Sequence, residues 1–228
     1  MCARYSLGKT DRLDWGKFGV YKVPALVPRW NVAPGTDVLV IRDVREKGRE
    51  ATTSIKWGLI PYWAKDPKVA HQHINARAET AHEKSAFEGA FKTRRCLLPA
   101  DGFFEWQTVP GQKRRLPWRA EPADGGILAL GGLWDRWKSP EGELVETCTI
   151  LTVPPNRALA PIHDRMPVLI APADYERWIS EETPLAEARA LCAPAGDEEL
   201  RAFRVSFAVN SSENDEEAVV HPLREEGR

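Results

Sequence analysis

Cysteine is scarce in this chain of 228 residues: there are four, at positions 2, 96, 148 and 192. None stands in a CxxC or CxxH pair, so the spacing of a structural zinc site is missing. His71 and His73 could ligate from one strand face, but no nearby Cys or carboxylate completes a set. No metal and no cofactor is therefore expected. Long apolar runs are also absent. Nothing approaches the roughly 20 residues that cross a bilayer as a helix. Met1-Cys2-Ala3-Arg4-Tyr5-Ser6 lacks the apolar centre of a signal peptide. The expected location is the reducing cytoplasm, away from any membrane. Cys96, Cys148 and Cys192 then read as small buried hydrophobes.

What the chain does hold is a globular composition, 43% hydrophobic and 29% charged. Its net charge of −1 hides an asymmetry. Residues 1–119 hold 22 Lys and Arg against 12 Asp and Glu, and residues 120–228 hold 10 against 21. A basic face and an acidic face would follow if the halves do not interleave. Lys92-Thr93-Arg94-Arg95 and Lys113-Arg114-Arg115 are local basic clusters, read either as phosphate contacts or as solvated turns.

The pattern predicts a short helix over Thr10–Phe18 capped by Thr10. A loop is expected over Arg29–Gly35, turning at Pro34-Gly35. Strands are predicted at Val38–Arg42 and Ser54–Leu59, split by a charged turn from Asp43 to Arg49. A helix is expected over Ala78–Lys92. Strands follow at Cys96–Pro99, Phe103–Thr108, Pro117–Ala120, Ile127–Trp134 and Val145–Val153, then helices at Ala173–Ile179 and Pro184–Leu191. No repeat or linker divides the chain, so it reads as one α+β domain over 1–228. Its sheet is expected to be largely antiparallel, with short peripheral helices. Residues 213–228 read as an acidic, loosely ordered tail.

Cys2 stands out chemically. Methionine is generally removed before a small second residue, which would leave Cys2 with an α-amine and a thiol on adjacent carbons. The amine's ordinary pKa of about 7.7–8.0 leaves part of it neutral near pH 7. Arg4 is expected to lower the thiol's value. Amine and aldehyde give an imine, and the thiol closes on it to form a thiazolidine, a ring that a lysine cannot make. Other segments could complete a site. His73, Asn75 and Arg77 would share a strand face, where an amide beside a guanidinium suits a sugar hydroxyl and a phosphate. Glu105 lies between Phe104 and Trp106, where burial would raise its pKa into proton-shuttling range. His163, two residues before Arg165, is a candidate acid or base. Trp63 follows Pro61-Tyr62 in a predicted loop and suits base stacking.

Six segments in order carry a resemblance over nearly the whole chain: Met1–Tyr5, Trp30–Gly35, Trp57–Pro61, Asn75–Thr80, Ala100–Trp106 and Pro161–Pro167. Together they resemble the SRAP (SOS response-associated peptidase) family. The resemblance implies a barrel-like antiparallel β core and DNA-damage chemistry, in which abasic sites in single-stranded DNA are recognised and linked covalently to the N-terminal Cys. It implies catalytic roles for Cys2 as nucleophile, Asn75 holding the opened sugar, Glu105 handling protons, and His163 beside the sugar. It implies DNA contacts by Arg4, Asn31, Pro34, Trp63, Arg77 and Arg165. The partner would be single-stranded DNA containing abasic sites, met by a monomer, at the nucleoid in a bacterium or in the nucleus of a eukaryote. Lyase activity and crosslink reversal belong to the same expectation. Two departures stand out: Ala3 replaces the usual Gly, and Ala64 follows Trp63 where a second Trp is common. Two other readings compete. One is a peptidase or amidase with an N-terminal Cys nucleophile, as the family name suggests. The other is a non-catalytic reader of modified DNA.

Overall fold

The computed structural model describes residues 2–44 and 48–223. In chain order its strands are β1 (Arg4–Leu7), β2 (Arg29–Val32), β3 (Asp37–Val44), β4 (Gly48–Trp57), β5 (Asn75–Arg77), β6 (Arg95–Ala100), β7 (Gly102–Gln107), β8 (Leu116–Pro122), β9 (Leu128–Lys138), β10 (Leu144–Val153), β11 (Met166–Pro167) and β12 (Leu200–Arg204). Four short helices sit outside them: α1 (Ala78–Ala81), α2 (Glu88–Thr93), α3 (Tyr175–Ile179) and α4 (Leu185–Ala190).

Strands β10-β4-β3-β6-β9 pair in that order, and β9 pairs back onto β10, which closes a five-stranded barrel. Closure removes the sheet edges that would otherwise stay unpaired. The β4–β10 pair is parallel; the other pairs of the ring are antiparallel. Both β5 and β11 add to β10, β5 in parallel. A second sheet runs β12-β8-β7-β1-β2 and is antiparallel throughout. All six residues of β6 are buried, which fits its place inside the closed ring rather than at a half-solvated face. The α+β reading with a barrel-like, largely antiparallel core therefore holds. No helix among the described residues is long and apolar enough to cross a membrane.

Several sequence expectations need correction. Thr10–Arg12 is a single 3-10 turn. Helix Ala78–Lys92 is broken into α1 and α2; neither has a side-chain cap, and packing of Ala81, Ala90 and Phe91 holds them instead. Arg29–Val32 is a strand, with the expected turn following at Gly35, whose φ is +84°. The centre of the charged turn, residues 45–47, lies outside the described residues. The acidic tail is packed as far as Leu223: Val219 and Val220 are buried against Phe104, and Asp215 accepts hydrogen bonds from the Trp30 and Asn31 N–H groups and pairs with Arg29. Residues 224–228 of that tail lie outside the described residues. Cys96 and Cys148 are buried as expected, whereas Cys192 is half-buried.

The joint between β1 and the β7–β8 hairpin is ionic. Asp101 and Arg119 are both fully buried, 2.9 Å apart. Asp101 also accepts from the Ser6 hydroxyl and from the Gly8 and Lys9 N–H groups, at 2.6 and 2.8 Å for the latter two. Burial opposes the charge of Asp101, but Arg119 and Ser6 outweigh it and hold the carboxyl below its ordinary range. The guanidinium crosses Gly102, where a Cβ would meet its central carbon at 2.5 Å. This network pins β1, the strand that presents Cys2. Arg119→Met leaves Asp101 charged and unpaired in the interior, so it should cost about 3–5 kcal/mol, read as a lower urea midpoint.

Candidate active site around Cys2

Cys2 enters the molecule just ahead of β1, which lies between β7 and β2. It is fully buried, with Sγ 3.8 Å from the Arg4 carbonyl oxygen. Asn75 meets it from the other sheet. As the first residue of β5, Asn75 is fixed beside Ile150 of β10, and its Nδ2 donates to the Cys2 carbonyl at 2.7 Å. That leaves Asn75 Oδ1 buried without a partner among the described residues. A buried acceptor in this state favours a ligand that brings a hydroxyl or N–H donor.

Glu105 stands on β7, 3% exposed. Burial, helped by the charge of Asp164, pushes its carboxyl up to about 7. Its charge reaches the Cys2 thiol and adds to the effect of burial there, so the thiol lies well above its ordinary value. The expectation that Arg4 would lower the thiol is overturned. The Arg4 guanidinium is bound to Asn31 Oδ1 and the Val209 carbonyl, both at 2.9 Å, and to the Asn210 carbonyl at 3.3 Å.

His163 completes the group. Its Nε2 lies 3.7 Å from Glu105 Oε2. Its Nδ1 lies 3.0 Å from both the Arg165 backbone N–H and Asp164 Oδ1; the N–H favours the neutral form with its proton on Nε2, facing Glu105. Burial lowers the pKa of His163, and the charge of the N-terminal amine adds to this, while the Asp164 carboxylate opposes it. The four residues expected to be catalytic, Cys2, Asn75, Glu105 and His163, are thus drawn together from the segment ahead of β1, from β5, from β7 and from the loop before β11.

The expected DNA contacts divide. Arg77 is exposed, Pro34 is partly exposed, and Trp63 is half exposed, its indole N–H 3.3 Å from the Ser85 carbonyl. Asn31 is fully buried and donates to the carbonyls of Val209, Ser211 and Asn214, so it ties down the segment after β12. Arg165 is bound through both terminal nitrogens to Glu79 and through one of them to the Thr152 carbonyl; only its Nε has no partner among the described residues.

Some neighbours were not singled out as site residues. An open groove of about 610 Å³ is lined by Trp106, Arg114, Arg115, Phe207 and Asn210. Asn210 links it to the site, because its Oδ1 accepts the Trp106 indole N–H at 2.8 Å while its carbonyl accepts Arg4. The 113–115 cluster was visible as charge. Nothing local in the sequence marks Asn210 or Phe207, which come to the groove from the far end of the chain. Among the described residues no group of three His, Cys, Asp or Glu is placed to hold a metal ion.

Residues 1–212 match the model of the family described as SOS response associated peptidase (SRAP). The abasic site processing protein YoaM of Bacillus subtilis is 35% identical over 223 residues, which is 94% of this chain and 95% of that protein. YoqW of the same species, which bears the same description, is 37% identical over 188 residues, covering 82% and 83%. The abasic site processing protein HMCES of Gallus gallus is 30% identical over 245 residues, covering 95% of this chain and 71% of its own. Among solved structures, a Bordetella bronchiseptica protein superposes with a TM-score of 0.76 at 29% identity, covering 90% of this chain and all of that one. A Bacteroides thetaiotaomicron protein reaches 0.84 at 23% identity, a likeness of fold, covering 98% and 100%.

Proposed function

The chain belongs to the SRAP family, and from that premise we propose that it processes abasic sites in single-stranded DNA by trapping them on Cys2. The observation that carries the reading is the meeting of Cys2, Asn75, Glu105 and His163 at one point. Removal of Met1 frees the α-amine of Cys2. An abasic deoxyribose in its ring-opened form offers an aldehyde at C1′. The amine adds to that carbon and water leaves, which gives an imine. The thiol then adds across the C=N bond: sulfur bonds to C1′, and the thiol proton is relayed to nitrogen. The product is a five-membered thiazolidine.

Each neighbour has a task in this sequence. The burial-raised thiol stays protonated at neutral pH, so ring closure needs a group to take its proton, and Glu105 with a pKa of about 7 is poised for that. The buried, unsatisfied Oδ1 of Asn75 suits a hydroxyl of the opened sugar. His163, with its proton on Nε2, can exchange it with Glu105 or with the sugar. The imine also acidifies C2′, so β-elimination, a lyase reaction, competes with ring closure. Arg77 and the Arg114-Arg115 turn supply cations for phosphates, and Trp63 offers a stacking face.

The test mixes untagged protein with a single-stranded oligonucleotide carrying one abasic site and resolves the products on a denaturing gel. A shifted, heat-stable band should form with the lesion and be absent with undamaged DNA. An N-terminal tag that blocks the amine should abolish it. A tagged protein that binds as well as the untagged one, with no shifted band from either, would favour a reader. Multiple turnover of a peptide substrate, with no shifted band, would favour the peptidase.

A further inference from the structure

We infer that Glu79 is a positioning residue for the site, setting through Arg165 which nitrogen of His163 faces Glu105. This inference rests on the proposed function for its catalytic meaning, though not for its geometry.

Glu79 stands in α1, directly after the strand that carries Asn75. Its two oxygens accept from Arg165 Nη1 at 2.6 Å and Nη2 at 2.8 Å, a bidentate fork that fixes the guanidinium plane. Nη2 also donates to the Thr152 carbonyl at 2.5 Å. Thr152 is itself held between Arg77 of β5 and Pro167 of β11. Arg165 is therefore anchored to α1 and to β10 at once, immediately before β11. That anchor fixes its backbone, and the same residue's N–H is the donor to His163 Nδ1 at 3.0 Å.

This donor has a competitor. Asp164 Oδ1 also lies 3.0 Å from Nδ1, and it is an acceptor. The ring thus has two arrangements. With the Arg165 N–H in place, Nδ1 accepts and Nε2 presents a proton to Glu105. With that N–H displaced, a proton on Nδ1 pairs with Asp164, and in the neutral ring Nε2 faces Glu105 as a bare acceptor. The Glu79–Arg165 fork favours the first. The Glu79 side chain is 45% exposed, so changing it acts on the ion pair with Arg165 rather than on the packing of the barrel.

The titratable and charged groups around the ring are Glu105, Asp164, Arg115 and the N-terminal amine. Histidine-selective 15N spectra of the full chain resolve the tautomer, with His163→Asn to assign the signal. Wild type should show the proton on Nε2 at pH 7.5. Glu79→Ala should move His163 toward the Nδ1–H form, raise its titration midpoint, and slow adduct formation on the order of 10- to 100-fold. Glu79→Asp, which keeps the charge, should reverse part of all three effects. A His163 signal unchanged in Glu79→Ala would overturn the inference whether or not the rate falls, and so would a shifted tautomer at an unchanged rate. If wild type itself forms no adduct, the proposed function fails instead, while the spectra still report whether Glu79 sets the tautomer.

Discussion

Cys2→Ala is expected to form no heat-stable adduct with abasic DNA while still nicking part of it. The reason lies in which atom does what. Imine formation uses only the α-amine, and alanine at position 2 keeps that amine once Met1 is removed. Ring closure uses the thiol, which alanine lacks. The imine then has two exits, hydrolysis back to aldehyde or loss of the C2′ proton and elimination of the 3′ phosphate. Strand cleavage should therefore persist to within about tenfold of wild type, because the covalent step that precedes it is untouched. Cys2→Ser should behave similarly, since a hydroxyl adds poorly to an imine and the resulting oxazolidine opens readily. Borohydride reduction of the imine should recover a covalent band from both variants. A heat-stable band without reduction from Cys2→Ala would place the nucleophile elsewhere. Loss of both cleavage and reducible adduct, in a variant that melts normally, would mean that the amine is not the entry point.

The fold was legible where side-chain pattern decides it. Strands β6 to β10 follow runs of apolar and β-branched residues between turn signals, and each was placed near its observed position. Short elements held by distant partners were not legible. Strand β2 reads locally as a loop, and it becomes a strand because β1 pairs with it and Asp215, at the other end of the chain, accepts its N–H groups. The parallel pairing of β4 with β10, Lys56 beside Thr147, leaves no mark in a window of ten residues. The site shows the same division. Cys2, Asn75, Glu105 and His163 could be named together because six segments in order resemble one family; read alone, a strand amide or a lone histidine is ordinary. The roles of Arg4, Asn31 and Arg165 were less readable, since a guanidinium or amide looks alike in sequence whether it faces a phosphate or a carbonyl. In the fold, Asn31 spends its Nδ2 on three backbone carbonyls, and Arg165 spends both terminal nitrogens on Glu79 and Thr152.

Glu105→Gln should slow adduct formation on the order of 100-fold, the usual scale for loss of a general acid or base, and should do so without weakening the fold. Two titrations shape the wild-type rate. The α-amine must be neutral, with an ordinary pKa of about 7.7–8.0, and Glu105 must be ionised to accept the thiol proton, with a pKa of about 7. The rate should rise with pH through both. In Glu105→Gln the inflection near 7 should vanish and only the amine's remain. Reversal runs the other way: opening the thiazolidine needs a proton on the departing sulfur, so it should slow as Glu105 ionises. Stability supplies the control. The Glu105 carboxyl is raised by burial above its unfolded value, so the folded state holds that proton more tightly. Its contribution to stability is present at acid pH and is lost as pH rises through about 7. Glutamine removes that dependence, and the variant should melt no lower than wild type at pH 8. A slow variant with an intact melt assigns the loss to chemistry. A variant that reacts at the wild-type rate, with the inflection near 7 retained, would remove Glu105 from the mechanism and leave His163 as the group that takes the thiol proton.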